Sequence, residues 1–312
     1  MLSDAIRPFS PELALGYEGV AIPTAVTEPW TTPASVTSLT VGDRERFTPE
    51  MLADPAERVV MLVGPHALRD VAGVHRVAHE LGAPVANTWG AKGIYQWNDG
   101  QHMGTCGLQR DDFTLLGLAD YDLVLAVGLD PAESRPDLPA GARLVHFRGD
   151  LMRLPVGGAP RPLVPANFNE LFRRMSEIAQ PGYVDDSVPR HPARAVMDLK
   201  QSLGPTTRVT AQPGDVGLWV ARTFPTDRLG SVAVPAHDRP GIGTAVGLVS
   251  AASGTDTVTV VRDPVDDETR ALVELAGRHG FPLRLEVWGD DVDWSRTDDL
   301  VAAAGPVVAW TE

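Results

Sequence analysis

The sequence predicts an α/β fold of two parallel-sheet, three-layer domains, and three observations carry that expectation. Short runs that are apolar throughout, such as 58–65 and 121–128, are the pattern of strands buried on both faces. Segments with helical spacing of apolar residues separate them, which calls for parallel strands with right-handed crossovers. The chain has 312 residues, 43% hydrophobic and 22% charged, more than one ordinary core holds, and a proline-rich stretch at 179–192 divides two such alternations.

In order, 58–65 predicts the first strand, stopped by Gly64 and Pro65. A helix is expected over 67–81, because Leu68, Val71, Val74, Val77, Ala78 and Leu81 fall on one face and Gly82 can cap it left-handed. Strands are expected at 83–88, 121–128 and 142–147, with a helix over 113–118. The second alternation predicts helices over 193–203, 216–224, 241–252 and 266–279, and strands at 208–211, 257–261 and 282–288. The small residues of 241–252 predict a helix lying close on a sheet. The domains therefore read as an N-terminal extension over 1–44, a Rossmann-like central domain over 45–178, a linker over 179–192 and a second α/β domain over 193–312.

Composition removes several classes of function. Asp and Glu number 41 against 27 Lys and Arg, a net charge of −14, the wrong sign for holding nucleic acid or an anionic membrane by phosphate contacts. Neither is expected as a partner. The single cysteine, Cys106, excludes an intrachain disulfide framework and a multi-cysteine zinc site, and fits a reducing cytoplasm. No apolar stretch approaches the roughly 18 residues that span a bilayer, and the first residues lack a basic and then apolar leader, so a soluble, unprocessed cytoplasmic protein is expected. The eight histidines show no HExxH or paired ligand spacing, and Cys106 lacks an evident base, so it reads as a small buried thiol.

Several local patterns occur in a telling order. Glu18–Thr24 reads EGVAIPT; Gly82–Thr88 reads GAPVANT, followed by Ala91-Lys92-Gly93 and His102-Met103-Gly104; Tyr121–Gly128 reads YDLVLAVG. Gln212–Trp219 reads QPGDVGLW and Pro240–Gly243 reads PGIG. In that order the chain resembles the thiamine-diphosphate enzymes of the acetolactate synthase, pyruvate oxidase and benzoylformate decarboxylase group. The resemblance implies that the second domain is of the thiamine-diphosphate-binding type. It places Gln212, Gly214, Asp215, Gly241 and Arg262 at cofactor positions, and Asp263 and Asp290 at the positions that hold magnesium. It implies that 1–44 is the tail of a pyrimidine-binding domain, the domain that carries the cofactor-activating glutamate in the family.

The departures from that family are equally specific. Arg262 and Pro264 stand where two glycines let a diphosphate approach, and Pro264 also lacks an amide donor. Asp215 and Val216 stand where the family offers a glutamine and a histidine to the phosphates. Asp130 replaces an arginine associated with flavin, so FAD is not expected. A strand-end Asp263 and a solvated loop at Asp290 and Asp291 are ordinary features as well, with Asp266 or Asp267 capping the next helix, Arg262 paired to a nearby carboxylate and Gly241 packing a helix. Two expectations follow: a family-like protein without turnover on its own, or one subunit of a split 2-oxo acid decarboxylase or carboligase, completed by a separate pyrimidine-binding-domain chain that supplies the glutamate. A nucleotide or acyl-CoA binder using the central domain is a third. Homodimerisation is expected, with 241–252 as the candidate contact.

Overall fold

The structure is a computed structural model that describes residues 58–130, 133, 143–147, 151, 154, 156 and 169–310. The expected extension over 1–44 and its GPV-like strand lie outside them.

The first sheet has five parallel strands, β1 (Val59–Val63), β2 (Val85–Thr88), β3 (His102–Cys106), β4 (Leu123–Val127) and β5 (Arg143–Phe147), in the order β3-β2-β1-β4-β5. This is the doubly wound order. Successive side chains of β1 enter different cores: Val59, Met61 and Val63 pack with Val74, Val77 and Ala78 of helix α1 (Val71–Leu81), while Val60 and Leu62 pack with Phe113, Leu116 and Leu171. Both faces are covered, which is why the strand is apolar at every position. Asp70 caps α1 through Gly73 N, and Gly82 ends it at φ +59°. The helix expected over 67–81 thus splits, its first turn becoming a 3-10 segment at Pro65–Asp70. The helix expected over 113–118 is shorter, α2 (Asp112–Leu115).

Helix α3 (Glu170–Val184), capped by Asn169, carries Pro181 in its interior and occupies the first part of the stretch read as a linker. His191 then starts α4 (Pro192–Ser202), its ring accepting from Ala193 N. The second sheet orders its strands β7-β6-β8-β9, all parallel: β6 (Arg208–Ala211), β7 (Val232–Ala233), β8 (Thr257–Arg262) and β9 (Leu283–Trp288). Its crossovers are α5 (Asp215–Thr223), α6 (Ile242–Ala252) and α7 (Asp267–His279), and α8 (Thr297–Ala304) follows β9.

Val209, Ala211, Val258 and Val260 face Val196, Leu199 and Trp219 of α4 and α5. The other face meets α6. There Thr210 and Thr259 bond each other at 2.7 Å, and a Cβ on Gly247 would stand 2.2 Å from the Thr259 hydroxyl. The small residues of α6 are thus used within its own domain, as the sequence suggests. No helix among the described residues is long and apolar enough to cross a membrane.

Candidate functional site

In an open parallel sheet the natural ligand crevice lies at the carboxyl ends of the two strands where the chain reverses its direction of winding. In the second sheet those strands are β6 and β8. A cleft of about 490 Å³ opens there, lined by Gln212, Gly214, Asp215, Arg262 and Asp263 with their neighbours. The local sequence builds it. Gly214, at φ +92° and ψ −150°, turns the chain from β6 into α5, and a Cβ placed on it would meet nothing within 4 Å. The first turn of α5 therefore faces the cleft without a side-chain cap, and Asp215 supplies the negative charge that a helix N-terminus favours.

Arg262, the last residue of β8, lies across from it. Its guanidinium donates to the Asp215 carboxylate and stacks 4.8 Å from the ring centroid of Trp294. Both partners are partly open, with side chains 47% and 33% exposed. Asp263 follows; its backbone N donates to Trp288 O at 3.0 Å, which ties the ends of β8 and β9 together. Gly289 consequently lies beside it, its virtual Cβ 3.5 Å from that of Asp263. Neither Asp263 nor Asp290 has a side-chain partner among the described residues. The neighbouring Asp291 is taken, accepting from Arg190 Nη2 at 2.5 Å and from Gly289 N at 3.0 Å.

The structure thus gathers five of the seven residues proposed from the sequence into one cleft: Gln212, Gly214, Asp215, Arg262 and Asp263. Asp290 sits on the adjoining strand end outside the lining. Gly241 does not reach the cleft. A Cβ there would stand 2.8 Å from the Cβ of Glu268, so it packs the start of α6 against α7. Asp266, whose side chain accepts from Thr269 N at 2.7 Å, is the cap of α7, a role Asp263 does not share. Gly104, Thr105 and Cys106 lie in strand β3, paired with β2.

A second group of ionisable residues lies between the two sheets, and the sequence reading did not single it out. Arg222 on α5 is 1% exposed and Asp112 on α2 fully buried; they form an ion pair across the contact between the domains. The guanidinium also donates to Thr105 O at 2.9 Å and to Gln109 Oε1 at 3.0 and 3.2 Å. Asp112 also accepts from Leu108 N and Gln109 N, while burial pushes its carboxyl above the usual range against the pull of Arg222.

Lys92 is 7% exposed; its backbone N donates to Trp89 O at 3.1 Å, while its ammonium has no hydrogen-bond or ion-pair partner among the described residues. Burial, aided by the charge of Arg222, lowers its pKa to about 7. His102, which bonds Asn87 Oδ1 at 2.7 Å, is lowered to about 4 by burial and then by Lys92. Cys106 is the inert thiol expected, fully buried and with its pKa raised by burial. One signal for Lys92 was visible: of the 27 basic residues only Lys92 and Lys200 are lysines.

Whether the cleft fits a diphosphate with its metal can be judged from the donors present. Two free carboxylates at adjacent strand ends, Asp263 and Asp290, suit a hard cation, which takes one or two protein carboxylates when phosphates complete its shell. No group of three or more His, Cys, Asp or Glu side chains that could hold a metal by itself exists among the described residues. The phosphate end is the obstacle. The first turn of α5, where phosphate oxygens would seek amides, already presents the Asp215 carboxylate, and that carboxylate engages Arg262. Pro264 offers no amide. Taken together, the residues present do not fit a metal-bound diphosphate.

Residues 50–155, which include all five strands of the first sheet, match the family model described as "Thiamine pyrophosphate enzyme, central domain". No curated protein matches the chain. Among solved structures, the chain is similar to a candidate thiamin diphosphate-dependent enzyme isolated from Mycobacterium smegmatis, with TM-score 0.55 and 18% identity over 75% of this chain and 50% of that one. At that identity the likeness is one of fold. The chain spans half the length of that structure.

Proposed function

We propose that these residues form the central and C-terminal parts of a thiamine-diphosphate-enzyme-like protein that does not turn over substrate by itself. The observation that carries this reading is the Asp215–Arg262 pair across the cleft between β6 and β8. An anionic cofactor entering there meets a carboxylate, and the one guanidinium that would welcome it is engaged by that carboxylate. The match over the first sheet supports the family likeness, and the second sheet, with its cleft at the switch point, supports a diphosphate-binding-type ancestry for the C-terminal domain.

The second reading is a subunit of a split 2-oxo acid decarboxylase or carboligase. Asp263 and Asp290, two unpaired carboxylates at neighbouring strand ends, favour it, because nothing within the described fold employs them.

Isothermal titration of thiamine diphosphate with magnesium into the chain separates the readings. No binding is expected for the unaltered chain. Asp215→Asn, which frees Arg262 and removes the repelling charge, is expected to bring measurable affinity while changing stability by less than about 1 kcal/mol, since the pair is exposed. Magnesium-dependent binding by the unaltered chain with turnover of a 2-oxo acid would overturn the proposal. Turnover only after a separate glutamate-bearing pyrimidine-binding domain is added would establish the second reading.

A further inference from the structure

The two edges of the second sheet are built differently. Strand β7 is two residues long, too short to receive another strand, whereas β9 runs for six residues in unbroken register with β8. It holds no proline, glycine or bulge that would blunt it, and no strand among the described residues lies beyond it. Thr257 N donates to Pro282 O and Asp263 N to Trp288 O, so the even-numbered residues of β9 turn their backbone groups to β8. Leu283, Leu285 and Val287 therefore turn theirs outward. The Leu283 N–H is met by Phe281 O at 2.8 Å, and the bridge between Arg190 and Val292 begins only after the strand has ended. The outward groups of Leu285 and Val287 have no strand partner among the described residues, and such an edge is a template for another strand.

The side chains say which strand it fits. Leu283, Leu285 and Val287 lie on the α6 face, where a Cβ on Gly247 would stand 3.1 Å from Leu283 Cδ1, and Val287 is 40% exposed. Arg284 and Glu286 lie on the opposite face. Arg284 Nη2 stands 3.5 Å from the Asp256 carboxylate, and Glu286 accepts from Trp288 Nε1 at 3.3 Å. Both bonds are long, and a guanidinium and a carboxylate each keep donors or lone pairs for a further partner.

Antiparallel pairing with a second copy sets outward residue against outward residue, and its two-fold axis must fall on a residue because opposed side chains share a face. Centring it on Arg284 or Glu286 opposes like charges. Centring it on Leu283 or Val287 runs each strand past the other's end. Centring it on Leu285 sets Leu283 against Val287 and, on both sides of the axis, Arg284 against Glu286, in the pairs where side chains come closest. We infer that β9 is a homodimer edge, at which two copies of the chain pair Leu283–Val287 antiparallel about Leu285 and join two four-stranded sheets into one. The expected homodimer thus forms at a free strand edge, not through α6, whose small residues are used within its own domain. The inference rests on no property of the cleft between β6 and β8.

Sedimentation equilibrium of the full chain tests this. The unaltered chain is expected to approach twice its monomer mass as concentration rises. Arg284→Glu and Glu286→Arg each oppose like charges on both sides of the axis and should each raise the dimer dissociation constant by about tenfold or more. Val287→Lys, which adds the charge that natural edge strands use against pairing, should do the same. An equimolar mixture of the Arg284→Glu and Glu286→Arg chains restores opposite charges in both pairs, and should return the constant to within about threefold of the unaltered value. The inference is overturned if the unaltered chain stays monomeric, if the charge-reversed chains dimerise as tightly as it does, or if their mixture associates no more tightly than either alone.

Discussion

The two sheets reverse their winding in the same way, yet one switch point is shut and the other open. In the first sheet the reversal falls between β1 and β4, followed by Gly64 and Gly128. A Cβ on Gly64 would stand 2.4 Å from Gly128 O, and one on Gly128 would stand 2.2 Å from Ala67 N. Backbone fills the place where a ligand would sit. In the second sheet the residues after β6 and β8 diverge, and a Cβ on Gly214 would meet empty space. A common topology thus fixes where a crevice can form, while a few residues after each strand decide whether it does. The ion pairs repeat the contrast: Arg222–Asp112, sealed between the sheets, and Arg262–Asp215, open at a cleft mouth.

The largest effect expected in breaking this comparison is at the sealed pair. Asp112→Ala leaves the Arg222 guanidinium buried without its counter-charge and should cost about 3–5 kcal/mol, read as a lower urea midpoint. Replacing both residues with apolar ones of similar size should restore most of that loss. If Asp112→Ala were instead as mild as an exposed-pair change, the sealed pair would not organise the contact.

Next come the switch-point glycines. Gly128→Ala must place a Cβ against the Ala67 backbone at φ +61° and should cost about 3 kcal/mol. Gly214→Ala at φ +92° meets only backbone strain and should cost about 1–2 kcal/mol. Equal losses in thermal unfolding would remove the distinction between a filled and an open crevice.

The effect at Lys92 is set by pH. Its folded pKa of about 7 lies below the ordinary 10.5, so below pH 7 the folded protein must carry a buried ammonium. That cost is then fully present and lifts as pH rises from about 7 towards 10.5, because the unfolded chain binds the extra proton over that window. Lys92→Met should therefore stabilise the protein more at pH 6 than at pH 9, the gain shrinking by about 1.4 kcal/mol for each pH unit above 7, measured as melting temperature. A pH-independent gain would show that packing, not charge, limits this position.

Legibility followed local signal strength. Strands β1 and β4 announce themselves because burial on both faces demands apolar residues at every position. Strand β3, HMGTC, sits at the sheet edge with glycine and polar residues, and so reads as a loop until its pairing with β2 is seen. Strand β7 is two residues long and α8 has eight, too short for periodicity to declare. In the site, Gln212–Asp215 and Arg262–Asp263 were legible because each follows a recognisable strand. Gly241 was legible both ways, since a glycine that packs helix on helix looks in sequence like one that admits a phosphate.

The sequence by itself determined the two α/β units, the acidic surface and the departures from the family pattern at Asp215, Arg262 and Pro264, because periodicity, charge and residue identity are local properties. Only the tertiary structure decided that Asp215 and Arg262 face each other 47 residues apart, that Arg222 meets Asp112 across 110, and that one switch point is filled while the other stays open. Those are contacts between distant segments. They depend on how the strand ends diverge and on which side chains the packed helices bring together, neither of which is written in any short stretch of chain.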